Sequence, residues 1–226
     1  MERVPEPELM DGAEQAAAYA AADFSASDGA VIMRLGELFS EGLGPRLVDL
    51  GCGPGNISFR LAELRPAPAE VMAIDGAPAM LALAARELEC RRQRQPDLPQ
   101  RLAFRLSRLP DPALPGGFSA VVSNSLLHHL HDPAVLWGAV RQLAAPGARI
   151  FVKDLRRPAD AAAVEALVQR HAADAPPVLQ HDYRASLQAA FTPEEVRGQL
   201  RAAGLADALQ VAPADDRYLE VWGRLA

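Results

Sequence analysis

The chain has 226 residues, half of them apolar, and a formal charge of −6. Such a chain can bury one sizeable core, and its acidic balance, relieved only by the short basic run at Arg91 to Gln95, argues against a nucleic-acid surface. No apolar run approaches the ~18 residues of a membrane span. The acidic start lacks the apolar stretch of a signal peptide, and Cys52 and Cys90 stand far apart without metal-ligand spacing, as expected of a protein of the reducing cytoplasm.

In chain order, a polar start broken by prolines leads into an Ala-rich helix predicted over Glu8 to Tyr19. A second helix follows over Gly29 to Phe39, with Val31, Ile32, Leu35 and Leu38 on one face. Together they form a helical cap over residues 8–43. From Arg46 the pattern alternates: Arg46 to Leu50 reads as a strand, Ile57 to Leu64 as a helix, Ala69 to Ile74 as a strand, Pro78 to Cys90 as a helix and Arg101 to Leu106 as a strand. That alternation is what βαβ units on a parallel sheet produce.

Ser119 to Val122 adds a short apolar strand, and Asp132 with Pro133 opens a helix over Ala134 to Ala144. Pro146 and Gly147 stop that helix ahead of a strand over Ala148 to Lys153. Lys153 is the only lysine among 23 basic residues, a preference that reads as coding bias. Residues 156–190 interrupt the alternation as a lid-like insertion. Thr192, Pro193 and Glu195 then start a helix with a capping-box pattern, closed by Gly204. Strands at Ala208 to Val211 and Tyr218 to Gly223, joined by a short connection, predict an antiparallel pair at one edge. The expectation is a single α/β domain: a seven-stranded, mostly parallel sheet with helices on both faces and an antiparallel last strand.

The chemistry concentrates where the first strand ends. "RLVDLGCGPGN" places Gly51, Gly53 and Gly55 at alternate positions immediately before a helix, where an open α/β sheet holds a ligand above its strand ends. Asp75 ends the next strand, at the distance along the chain where a carboxylate meets two ribose hydroxyls. The glycine spacing departs from the G-x-G-x-x-G of dinucleotide enzymes, because Asn56 stands at the sixth position.

The string "VDLGCGPG" resembles the first motif of class I S-adenosylmethionine-dependent methyltransferases, which have a Rossmann-like fold. "AIDGAPAML", "AVVSNSLLHHLHDP", "RQLAAPGARIFVKDL" and "FTPEEVRGQLRAAGL" are similar, in order, to later segments of that family. The resemblance implies that the glycine turn passes beneath the amino acid portion of the cofactor, that Asp49 helps hold its amino group and that Asp75 binds its ribose. Gly76, Ala77 and Met80 then lie near the adenine, and Asn124 lies by the methionine part. Many relatives carry an acid near the end of the third strand; this chain has Arg105, Leu106 and Ser107, so adenine recognition is assigned to backbone around Leu106. Tyr19 is expected to cap the cofactor. Cys52, which has no local basic partner, is expected to be a small residue of the turn and not a nucleophile.

A sulfonium methyl is already activated, so the enzyme must mainly align the acceptor and exclude water. A base is needed where the acceptor arrives protonated. His128 and His129, in the loop after the fourth strand, and Asp182 and Tyr183, in the insertion, are the candidates for acceptor contact and proton removal. No metal is expected, because adjacent histidines usually diverge and no cysteine pair accompanies them. The implied function is methyl transfer to a small-molecule acceptor by a monomer or homodimer with no nucleic-acid or membrane partner. Transfer of another group from the same cofactor, a catalytically silent cofactor-binding module and a nicotinamide dehydrogenase are the alternatives.

Overall fold

A computed structural model describes residues 1–7, 12, 18, 19 and 21–226. The helix expected over Glu8 to Tyr19 falls mostly outside the described residues, although Ala18 and Tyr19 are helical. The elements in chain order are α1 (Ser25–Leu38), β1 (Arg46–Leu50), α2 (Asn56–Ala62), β2 (Glu70–Asp75), α3 (Pro78–Arg92), α4 (Leu98–Arg101), β3 (Leu102–Leu106) and β4 (Phe118–Asn124). They continue with a 3₁₀ turn (Leu127–His129), α5 (Ala134–Leu143), β5 (Ala144–Leu155), α6 (Ala161–Ala172), α7 (Pro177–Ala189), α8 (Pro193–Ala202), β6 (Leu209–Pro213) and β7 (Tyr218–Arg224).

The seven strands form one sheet in the order β3-β2-β1-β4-β5-β7-β6. Strands β1 to β5 run parallel to one another, and β7 inserts antiparallel between β5 and β6. Central β1 is covered on both faces, and its apolar residues Leu47, Val48 and Leu50 are fully buried. One face carries Val31 and Leu35 of α1 and Phe59 and Leu61 of α2 over Leu47, Val122 and Phe151. The opposite face packs Leu136, Trp137 and Val140 of α5 and Val196 and Leu200 of α8 over Val48, Val121 and Ile150. Among the described residues no helix is long and apolar enough to cross a membrane.

Local rules account for several boundaries. Pro78 stands in the first turn of α3, where its missing N–H costs nothing. Thr192 Oγ1 accepts from the Glu195 N–H at 3.2 Å while Glu195 Oε2 accepts from the Thr192 N–H at 2.7 Å, which is the expected capping box. The strand expected to begin at Ala148 begins at Ala144, because Pro146 and Gly147 lie within extended chain and the Gly147 N–H donates to the Leu225 carbonyl at 2.7 Å. A register shift between Phe118 and Ala120 absorbs this irregular start. The interruption at 156–190 resolves into α6 and α7, which pack on Leu155 and Tyr218 through Val164, Leu167, Val168 and Leu187.

Strand β1 lies between β2 and β4, so the chain leaves it to one side and later returns on the other. The carboxyl ends of these strands therefore frame a crevice at a topological switch point. The glycine turn sits there.

Candidate functional site

The turn after β1 needs its glycines for separate reasons. Gly51, Gly53 and Gly55 have φ of +70°, +54° and +90°, in the left-handed region that L side chains rarely adopt. A Cβ on Gly51 would come within 2.8 Å of Leu126, and one on Gly55 within 2.7 Å of the Phe104 ring, whereas the same position at Gly53 opens into empty space. Gly53 borders the crevice, so an added side chain there would project into it. The N–H groups of Gly51 and Cys52 both donate to the Ile74 carbonyl, at 2.9 and 3.0 Å, which ties the turn to β2.

Asp75 completes the tie. Its Oδ2 accepts from the Gly53 N–H and its Oδ1 from the Ala77 N–H, each at 2.7 Å, so one carboxylate fixes both the glycine turn and the entry to α3. Each oxygen keeps a further lone pair for a ligand hydroxyl. Asp49, the penultimate residue of β1, is buried and accepts from the Ser58 hydroxyl at 2.6 Å. Burial pushes its carboxyl up to about 7; the Ser58 hydrogen bond opposes this, and the negative Asp75 and Asp28 add to it. Asp28, buried on α1, is pushed up by the same desolvation, with Arg60 and Asn56 holding it back.

The crevice is lined by Tyr19, Asp28, Asp49, Gly51, Cys52, Gly53, Asp75, Met80, Asn124, Ser125 and His129, together with Pro54, Asn56, Ile57, Ala77 and Leu126. Among the described residues, three carboxylates and no arginine or lysine face it. A diphosphate would meet repulsion there, and a cation would be drawn in. The donor set therefore fits a cofactor with a ribose to hydrogen-bond and positive charge to neutralise.

Residues 48–150 match a family described as a methyltransferase domain. The ubiquinone biosynthesis O-methyltransferase of Xanthomonas euvesicatoria pv. vesicatoria is 30% identical over 164 residues, covering 72% of this chain and 63% of that protein. The match thus spans under two thirds of the length of this curated relative. Among solved structures, a SAM dependent methyltransferase from Aquifex aeolicus superposes with a TM-score of 0.65 at 16% identity, over 95% of this chain and 99% of that one. The plantazolicin methyltransferase BamL, solved with a desmethylPZN analog and SAH, gives 0.69 at 11% identity over 94% and 91%.

The chain has the class I methyltransferase fold, and its central segment, residues 48–150, matches a methyltransferase domain. Of the residues that the sequence resemblance points to as cofactor contacts, Tyr19, Asp49, Gly51, Cys52, Gly53, Asp75, Met80 and Asn124 come together in the crevice. Gly55 stands behind it, at the start of α2. Gly76 and Leu106 are not among the lining residues, and Leu106, the last residue of β3, is 58% exposed. The Cys52 thiol is buried and pushed well up by desolvation, as an inert residue of the turn would be.

The four residues proposed for acceptor chemistry separate. His129 lines the crevice; His128 lies behind it, only 3% exposed. Asp182 and Tyr183 lie on α7, and neither is among the crevice residues; Tyr183 packs on Leu155 and Tyr218. The adjacent histidines do not diverge as expected. Ser125, at φ +59°, turns the chain off β4 and into the 3₁₀ turn, and the two imidazoles come to 4.2 Å between centroids.

Three partners of this turn have no local sequence signal. Asp154 on β5 holds His128 Nδ1 at 2.6 Å. Glu6 places Oε1 3.1 Å from His129 Nδ1 and 3.5 Å from His128 Nε2, and its carboxylate also accepts from the Ser186 hydroxyl. Arg3 donates to the His128 and Leu130 carbonyls, both at 2.9 Å, and stacks on the Phe191 ring. Burial would raise the Glu6 carboxyl, but His129, His128 and Ser186 outweigh it and hold it below its usual range. Burial would likewise depress His128, but Asp154 raises it above the ordinary histidine value. Glu6, His128 and His129 bring donor atoms within 4.8 Å of one another, a grouping that could also hold a metal ion. Asp28 did have a signal: it precedes Val31 and Leu35 at helical spacing and so shares their buried face.

Proposed function

We propose that this chain transfers the methyl group of S-adenosylmethionine to a small-molecule acceptor, with His129 taking the acceptor's proton and Glu6 orienting the imidazole. The observation that carries the reading is the crevice itself: an acidic, glycine-floored cleft with a single imidazole on its β4 side. Asp75 would hold the ribose, Asp49 the amino group and Asn124 the methionine part, while Tyr19 and Met80 cover the nucleoside. The cofactor supplies an activated methyl. The chain's own task is to align the acceptor, exclude water and receive a proton.

Glu6, His128 and His129 are read as a proton-handling group and not as a metal centre. The Glu6 carboxylate is already engaged by Ser186 and the two imidazoles, and His128 is charge-paired to Asp154. The name of the curated relatives favours an oxygen acceptor. The strap of residues 1–7 and the helices within 156–190 would enclose that acceptor, and a small molecule suits such an enclosure better than a nucleic acid or a membrane does.

Incubation with methyl-labelled cofactor and pooled cytoplasmic metabolites, followed by mass spectrometry, tests the reading. A small metabolite gaining one labelled methyl is expected. A different mass shift would indicate transfer of another group, and cofactor binding without any labelled product would indicate a silent binding module.

A further inference from the structure

Beyond the acidic crevice the same sheet face changes sign. Asn124 of β4 pairs in register with Lys153 of β5, and Lys153 pairs with Glu220 of β7, so these three side chains share the face on which Asn124 borders the crevice. Tyr218, two residues from Glu220 along β7, extends the row. Lys153 is the chain's only lysine, in a protein that elsewhere uses arginine for every cation, and it is 9% exposed.

Asp215, Glu220 and Asp28 act on its charge only from a distance, against desolvation and the nearby Arg217. Glu220, its cross-strand neighbour, is taken by Arg34, with Nε 2.9 Å from Oε2. Asp215 is held by the backbone N–H groups of Arg217 and Tyr218, at 2.9 and 2.7 Å. Among the described residues, no carboxylate lies within ion-pair distance of the Lys153 ammonium or of the Arg217 guanidinium. Both cations instead meet one aromatic ring: Lys153 Nζ is 4.4 Å and the Arg217 guanidinium carbon 4.8 Å from the Tyr218 centroid. The Tyr183 hydroxyl is buried with Arg217 as its polar neighbour: burial raises the phenol and Arg217 holds it back, although the pair does not reach full hydrogen-bond geometry.

We propose that Lys153, Arg217 and the Tyr183 hydroxyl, grouped around the Tyr218 ring, form a subsite for an oxyanion group, carboxylate or phosphoryl, on the methyl acceptor. Lys153 and Arg217, two cations beside one ring, repel each other, and a buried hydroxyl without a well-formed hydrogen bond is costly. An oxyanion relieves both, through charge-assisted hydrogen bonds from three donors. The opposite signs of the two regions then sort the ligands: the cationic cofactor goes to the carboxylates of the crevice and the acidic end of the acceptor to Lys153 and Arg217. The inference rests on the methyl-transfer reading for the identity of the ligand, while the anion site itself is testable alone. It also gives Tyr183 a binding role in place of proton removal.

Because the chain has one lysine, labelling lysine with ¹³C at Cε gives a single NMR signal that reports Lys153. The protein is titrated with inorganic phosphate, with acetate and with sodium chloride at matched ionic strength, in the presence and absence of S-adenosylhomocysteine. A saturable shift is expected with phosphate or acetate, and the tighter of the two identifies a phosphoryl or a carboxylate acceptor. Arg217→Met should weaken that anion about tenfold, the loss of one charge-assisted contact, and Tyr183→Phe should weaken it less; Arg65→Met, at an exposed position, should change nothing. A signal that moves no further than with chloride, or an unchanged affinity in Arg217→Met, would overturn the proposal. Anion binding by a protein that fails to bind S-adenosylhomocysteine would keep the subsite and remove the methyl-transfer reading.

Discussion

His128 Nδ1 and Asp154 Oδ1 lie 2.6 Å apart, both residues almost fully buried, while the second Asp154 oxygen takes the Leu127 N–H at 2.7 Å. One carboxylate on β5 therefore fixes both the backbone and the first imidazole of the turn that presents His129. Removing one partner of such a buried pair costs about 3–5 kcal/mol, so Asp154→Ala should lose that order of stability. His128 is raised in the folded state, so its contribution is complete below its unfolded pKa and fades as pH rises through the higher folded value. Chemical denaturation of wild type and His128→Gln at about pH 6 and about pH 9 should show the larger gap at the lower pH. A gap that widens with pH would refute the pairing.

Asp49 gives cofactor binding a proton signature. With its carboxyl pushed up to about 7, a large share of molecules carry that proton at neutral pH. A bound ammonium would favour the carboxylate and expel it. Calorimetry of S-adenosylhomocysteine binding at pH 7, in buffers of different ionisation enthalpy, should register proton release. Asp49→Asn should abolish the release, and its persistence in that variant would place the proton elsewhere. The same raised pKa makes the ligand-free protein lose stability as pH climbs from about 4 to about 7.

Gly53→Ala and Gly55→Ala should differ although both glycines have positive φ. The left-handed conformation costs an alanine about 1–2 kcal/mol at either position. At Gly55 the added methyl also meets Phe104 at 2.7 Å and Phe59 at 3.0 Å, an overpacking worth about 1–3 kcal/mol more. Thermal unfolding should rank Gly55→Ala the less stable, while Gly53→Ala, whose methyl enters the open crevice, should lose proportionately more cofactor affinity. The opposite ranking would mean that the turn does not face the ligand.

For the acceptor found in the labelling screen, His129→Phe should lower kcat by about 10²–10⁴-fold, the usual range for a general base. Glu6→Gln should lower kcat with little change in S-adenosylhomocysteine affinity, because Glu6 acts through the imidazole. Treatment with a strong chelator should leave the rate unchanged; a loss restored by a divalent ion would assign Glu6, His128 and His129 to a metal instead.

What the sequence made legible was what local rules determine. Alternating apolar runs with turn residues between them gave the strands and most helices, and the glycine turn with Asp75 gave the floor of the crevice. The capping box at Thr192 and Glu195 was readable because its partners lie three residues apart. Glu6, Arg3 and Asp154 were not, since their contacts with the 127–131 turn join segments far apart in the chain. The convergence of His128 and His129 depends on the 3₁₀ turn and the positive φ of Ser125, neither of which residue type alone announces. In the sequence Lys153 reads as compositional bias, and only the register of β5 against β4 and β7 shows where that single lysine stands.

The central claim is that the crevice grips a cationic nucleoside through its acids. Calorimetric titration of wild type, Asp75→Ala and Asp132→Ala with S-adenosylhomocysteine and with NAD tests it most directly. Wild type and Asp132→Ala should bind S-adenosylhomocysteine alike, Asp75→Ala about tenfold or more weakly, and none should bind NAD. Tight NAD binding, or equal affinity for S-adenosylhomocysteine in all three proteins, would contradict the account.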